Sequence, residues 1–85
     1  MLNITDVRVI KIKGEDNLKG VASITIDKCF VIHNIKIFEG RKGFFIAFPS
    51  ERDKSKGGFR DIAHPIDTET RQQIVKRIKD RYDKL

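Results

Sequence analysis

The chain has one cysteine, two histidines and two prolines, and no hydrophobic run long enough to span a membrane. A single cysteine, Cys29, excludes an intrachain disulfide and a thiolate zinc site. Cys29 lies in an apolar run, where a buried, inert thiol is expected. Two histidines, His33 and His64, without a third ligand at a recognisable spacing do not make a metal site. The longest apolar stretch is Phe44 to Phe48, far below the roughly 20 residues of a membrane span. The opening "MLNITDVRVIKIKG" meets Asp6 and Arg8 early and lacks the apolar core of a signal peptide. These absences point to a cytoplasmic protein with no membrane partner, no cofactor and no small-molecule substrate.

The chain is 85 residues long, enough for one domain spanning 1–85 and too short for a second core. Such a chain buries only roughly 60–65% of its unfolded surface, a shortage that a dimer interface eases. Hydrophobic residues make up 39% and charged residues 35%, a balance that folds rather than stays disordered. The net charge of +6 favours a polyanionic partner, although many basic proteins are merely soluble.

Residues 1–66 read mainly as strands. "ITDVRVIKI" (4–12) is rich in β-branched residues, and its alternation slips where Val9 meets Ile10, which suggests a bulge or burial on both faces. "GEDN" (14–17) is a turn signal. "GVASITID" (20–27) alternates with Ala22, Ile24 and Ile26 on one face. In "KCFVIHNIKIF" (28–38) the same rule puts Cys29, Val31, His33, Ile35 and Ile37 together, so His33 reads as a core or interface histidine. "EGRKG" (39–43) is a second turn, and the strand 43–49 stops at Pro49. "SERDKSKGG" (50–58) is a basic loop or flexible hairpin tip, and "FRDIA" (59–63) returns as a strand. In 67–85 the period changes: Ile74, Ile78, Tyr82 and Leu85 form an apolar stripe widened by Val75, with Asp67 as N-cap. The expected fold is α+β: a small curved antiparallel meander of about five strands, with a C-terminal amphipathic helix.

Arg60, Asp61 and His64 crowd into "GGFRDIAHP" (57–65) and have the residue types of a catalytic site. In an extended strand, however, Asp61 and His64 fall on opposite faces, and no nearby serine or cysteine completes a constellation. No enzyme is expected. The structural reading makes Asp61, His64 and Pro65 the corner where sheet gives way to helix. Arg71 falls within the helix's apolar arc and needs a partner there, which an Asp61–Arg71 bridge would supply. Alternatively Arg60 and Arg71 face outward and bind phosphate.

Arg52, Lys54 and Lys56 alternate through the 50–58 loop, interleaved with Glu51 and Asp53. Arg77, Arg81 and Lys84 form a ridge beside the helix's apolar stripe, continued by Gln73. A basic finger and a basic ridge can track a phosphate backbone. The competing reading is a solvated helix face, with Asp80 paired to Lys76 or Lys84 and Asp83 to Lys79. No aromatic platform for single strands is visible outside the core. The apolar strand 43–48 is a candidate for two-fold pairing.

"ITDVRV" (4–9), "ASITIDKCFVIHNIKI" (22–37), "FIAFPS" (45–50) and above all "FRDIAHPI" (59–66) resemble the bacterial stage V sporulation protein G family, also called the septation regulator family. The resemblance runs in order over nearly the whole chain. It implies a small antiparallel sheet with a C-terminal helix, and a homodimeric cytoplasmic regulator of septation, sporulation and gene expression that binds DNA and in some cases RNA. By position it carries nucleic-acid contact to Arg71, Gln72, Gln73 and Arg77. Phe48 departs from the family's usual Met before Pro-Ser, and the 50–58 loop is longer and more charged than usual. The alternative role is a protein-interaction module of the division or sporulation machinery with no direct part in nucleic-acid binding.

Overall fold

A computed structural model describes residues 2–13 and 17–85. The elements in chain order are β1 (Ile4–Lys11), β2 (Leu18–Ile26), β3 (Phe30–Gly40), β4 (Gly43–Ala47), β5 (Ser50–Arg52), β6 (Phe59–Asp61) and α1 (Thr68–Asp83). The fold is α+β, as the change of period at residue 67 requires. β1 to β4 form one antiparallel meander in chain order, and β5 and β6 form a separate two-stranded ribbon. The expected five-strand sheet is therefore four strands and a ribbon. The turn expected at 14–17 lies, but for Asn17, outside the described residues.

One face of the meander is packed and the other is open. On the packed face, Val7 stands beside Ile24 and Ile24 beside Ile32, while Ala22 stands beside Ile35 and Ile37 beside Ile46. α1 lays Ile74 and Ile78 over these residues, and Ile24, Ile35, Ile37, Ile74 and Ile78 lose essentially all contact with solvent. Each contributes roughly 1.5–3 kcal/mol by burial. Val75 and Tyr82 flank the stripe as its spacing predicts. Leu85 does not join it: α1 ends at Asp83, and the Leu85 side chain is exposed.

Left-handed backbone redirects β3. Asp27 and Lys28 both take positive φ and turn the chain at 27–29, where Cys29 N–H donates to Ile26 O. Further on, Ala22 pairs with Ile35 but Ile24 with Ile32, so β3 holds one residue too many. Asn34, at φ 63°, absorbs it as a bulge. The bulge reverses alternation. Ile32 joins Ile35 and Ile37 on the packed side, and His33 is exposed on the open side, sharing a 2.9 Å hydrogen bond with Ser23 Oγ. The expectation of an inward His33 fails for this reason. Cys29, expected to be buried, is exposed because the turn carries it.

In β1 the irregularity falls at Thr5, between the Ile4 and Asp6 pairings, and not at Val9 and Ile10. Ile10 simply faces out on the open side. The turn at Arg41–Lys42 forms as expected, with Gly40 paired to Gly43.

Candidate nucleic-acid interface

Asp67 caps α1. It is extended, and its carboxylate accepts the Thr70 N–H at 2.7 Å. Thr70, through its hydroxyl and then its backbone N–H, holds the Asp67 carboxyl below the usual carboxylate range. The cap fixes the helix start immediately after the Pro65 corner. His64 Nδ1 donates to Pro65 O at 3.0 Å within that corner.

The Asp61–Arg71 bridge is absent. Ion pairs among the described residues are Arg8–Asp6, Arg60–Glu51 and Lys79–Asp83. Asp61 pairs with Ser50 in the ribbon, and the next residue, Ile62, donates its N–H to Pro49 O at 2.7 Å. That register aims Asp61 into a cleft beside the ribbon, shared with Asn34 and Lys36. Arg71 finds an aromatic face instead: its guanidinium carbon stands 5.2 Å from the centre of the Phe48 ring.

The helical ridge divides by its contacts. Gln73 Nε2 donates to Leu2 O at 2.6 Å, and Arg77 Nη1 donates to Ile4 O at 2.9 Å. Both side chains reach backbone carbonyls at the start of edge strand β1, so Gln73 and Arg77 have a structural contact beside the nucleic-acid role expected of them, and Arg77 stays exposed. Gln73 Oε1 is buried without a partner. One turn beyond, Arg81 and Lys84 stay exposed and line an open cleft of about 350 Å³ with Asp6 and Asp80. Gln72 is exposed at the N-terminal half of α1. Of the competing ion pairs, Lys79–Asp83 forms at 2.9 Å, and Asp83 raises the Lys79 pKa by hydrogen bond and charge. Asp80 pairs with neither Lys76 nor Lys84, which leaves the ridge more open than a salt-bridged face.

The 50–58 stretch is more ordered than a flexible loop. Arg52 pairs with Phe59 and Glu51 with Arg60 across the ribbon. Arg60 also grips Glu51 Oε1 with two donors, at 2.6 and 2.9 Å. At the tip, Asp53 accepts from the Ser55 hydroxyl, the Ser55 N–H and the Lys56 N–H, which together lower its pKa. Gly57 and Gly58 both take positive φ and close the tip onto Asp53. Glu51 and Asp53 are thus engaged within the ribbon, while Arg52, Lys54 and Lys56 are exposed with no carboxylate in contact among the described residues.

Aromatic surface outside the core is present, contrary to the sequence reading. Phe59 is 77% exposed and Phe45 is 54% exposed. Phe38 and Phe45 stack on the open face of the sheet with centroids 5.1 Å apart. Alternation in β6 gives Phe59 and Asp61 a common face, and that face is left largely open among the described residues.

Among the described residues no three His, Cys, Asp or Glu side chains gather to hold a metal ion. No helix among them is long and apolar enough to cross a membrane. The profile of the SpoVG family matches residues 2–84. A Clostridium perfringens protein is 54% identical over 84 residues, covering 99% of this chain and 92% of its own length. A Phytoplasma australiense protein is 57% identical over 81 residues, covering 95% and 83%. One from Lachnospira eligens is 55% identical over 83 residues, covering 98% and 93%. All three carry the name "Putative septation protein SpoVG".

Proposed function

The chain belongs to the SpoVG family, and on that premise we propose that it acts as a homodimeric nucleic-acid-binding regulator of septation. The observation that supports the reading is the set of exposed cations on two projecting elements that form no ion pair among the described residues. Arg52, Lys54 and Lys56 lie on the ribbon, and Arg81 and Lys84 on the last turns of α1. Five such cations on a chain of net charge +6 suit a phosphate backbone. Arg71 and Gln72 stand at the N-terminal half of α1, as polar candidates for base or shape readout of DNA, or of RNA as the second target class.

The homodimer rests on surface area and on strand edges. The accessible surface is 6589 Å² for a 9.8 kDa chain. A folded monomer of that mass exposes about 5,200 Å². The excess is larger than the roughly 800 Å² that each partner contributes to a standard interface. Each outer strand pairs on one side only, β1 with β2 and β4 with β3, but Gln73 and Arg77 already engage the Leu2 and Ile4 carbonyls at the start of β1. That contact favours β4 as the edge for a second copy.

The test combines light scattering with a gel-shift or anisotropy assay on duplex and single-stranded probes. A dimer is expected, together with loss of binding in Arg81→Glu/Lys84→Glu and in Lys54→Glu/Lys56→Glu. A monomer at micromolar concentration removes the dimer. Full binding by both charge-reversed variants removes the phosphate-tracking role.

A second reading, an interaction module of the septation machinery, is favoured by one observation. Ile62 and Ile66 are 64% and 93% exposed, and Ile66 borders an apolar cleft of about 550 Å³ between the Pro65 corner and the sheet. Under that reading, Arg81→Glu/Lys84→Glu leaves septation intact in cells.

A further inference from the structure

The open face of the meander and the ribbon enclose a cleft of about 530 Å³. Its walls carry Phe38 from the sheet and Phe59 from the ribbon, with Lys36, Asn34, Ser50 and Asp61 between them. We infer that this cleft takes a base of a single-stranded nucleic acid, stacked against Phe59, while the sugar-phosphate chain runs over the cations of the ribbon. The inference deepens the nucleic-acid reading above and rests on it.

Three observations carry it. First, the aromatic groups are presented rather than buried. Phe59 is 77% exposed, and Phe38 is braced from behind by Phe45, whose ring is nearly parallel at 13°. Any base has a π-face for such a ring, but only an unpaired base has one free, so a duplex cannot use this site.

Second, the charges are arranged for a strand with its phosphates outside. Glu51 is held by Arg60, and Asp53 is occupied by Ser55 and Lys56. Arg52, which is paired with Phe59 across the ribbon, and the neighbouring Lys54 and Lys56 are left to meet phosphates.

Third, the cleft offers a base edge both acceptors and donors: Asp61 sets a carboxylate beside the Lys36 ammonium, so the lining is mixed in sign rather than purely cationic as a phosphate site would be. Asp61, when ionised, only accepts hydrogen bonds, and base edges offer amino and imino donors. Asn34 adds both a donor and an acceptor. The cleft's size falls in the range of pockets that hold a small planar molecule.

The experiment is fluorescence anisotropy with labelled RNA and DNA strands of about 12 nucleotides, a length one small domain can span, and with the corresponding duplexes. The wild-type chain is expected to bind the single strands. Phe59→Ala weakens that binding by roughly 5- to 100-fold, leaves duplex binding unchanged, and Phe59→Tyr restores the loss. Phe59 packs on little, so the alanine variant is expected to keep its fold, checked by circular dichroism. Unchanged single-strand affinity in Phe59→Ala overturns the inference, as does an equal loss for duplex. A dimer that dissociates when Phe59 is removed assigns the surface to a second copy and overturns it too. A wild-type chain that binds duplex but no single strand overturns this inference alone, whereas one that binds neither overturns the nucleic-acid reading itself.

Discussion

Replacing Arg77 and Arg81 separately by glutamine distinguishes two jobs on one helical ridge. The two residues are one turn apart and identical in type. Both line the same open cleft, but Arg77 spends a donor on Ile4 O at 2.9 Å, whereas the Arg81 side chain has no hydrogen-bond partner among the described residues. If Arg52, Lys54, Lys56, Arg81 and Lys84 each neutralise one phosphate of a duplex, log K falls with log salt at a slope of about −4.5 per protomer. Affinity then drops roughly 500-fold between about 50 and 200 mM salt. Arg81→Gln should flatten that slope by about 0.9 and leave the urea midpoint in place. Arg77→Gln should leave the slope unchanged and cost about 1 kcal/mol of stability, because the Ile4 carbonyl loses its donor. Anisotropy titrations at several salt concentrations, with urea denaturation of the same samples, measure both quantities. A slope that flattens equally in the two variants would show that Arg77 also meets phosphate and would refute the division. A wild-type slope near zero would refute the electrostatic reading altogether.

Two further outcomes follow from local geometry. Asn34→Gly should be close to neutral and Asn34→Val should cost about 1–2 kcal/mol, since a β-branched residue resists the φ of 63° that the bulge needs; equal denaturation midpoints would contradict this. Asp67→Asn should lower the thermal midpoint at neutral pH. Because the folded pKa of Asp67 is depressed, its stabilisation is complete above the unfolded value of about 4 and is lost as pH falls through the folded value. The difference between wild type and Asp67→Asn should therefore shrink on acidification, and a gap that widened below about pH 4 would reverse the sign of the argument.

Periodicity carried much of the fold. Two-residue alternation in β2 and the three-to-four spacing of Ile74, Ile78 and Tyr82 depend only on which side of an element meets the core, and both hold. Alternation fails at Asn34, because a bulge inserts one residue and moves His33 to the other face. Asparagine is one of the few residues that tolerates that backbone, but its presence did not say that the backbone is used. The corner formed by His64 and Pro65 was legible because both effects are local. The partners of Arg71, Gln73 and Arg77 were not, since each depends on a chain segment distant in sequence: Phe48, Leu2 and Ile4. Phe59 was misjudged for a similar reason. A phenylalanine in a strand implies a covering layer, and only the three-dimensional arrangement shows that this ribbon has none.

The two amide-and-guanidinium clasps at the start of β1 have a consequence for assembly size. An antiparallel meander normally offers two growth points, and a chain with two can add copies without end. Here the molecule's own helix takes two carbonyls at the entry to one growth point, which makes that edge the less favourable of the two for a second copy. Pairing through β4 about a two-fold axis would use the freer edge of both copies at once and leave a sheet of eight strands with a clasped β1 at each end. Loosening Gln73 or Arg77 would then do more than weaken a monomer: it would free further carbonyls at both outer edges of the dimer, where additional copies can pair.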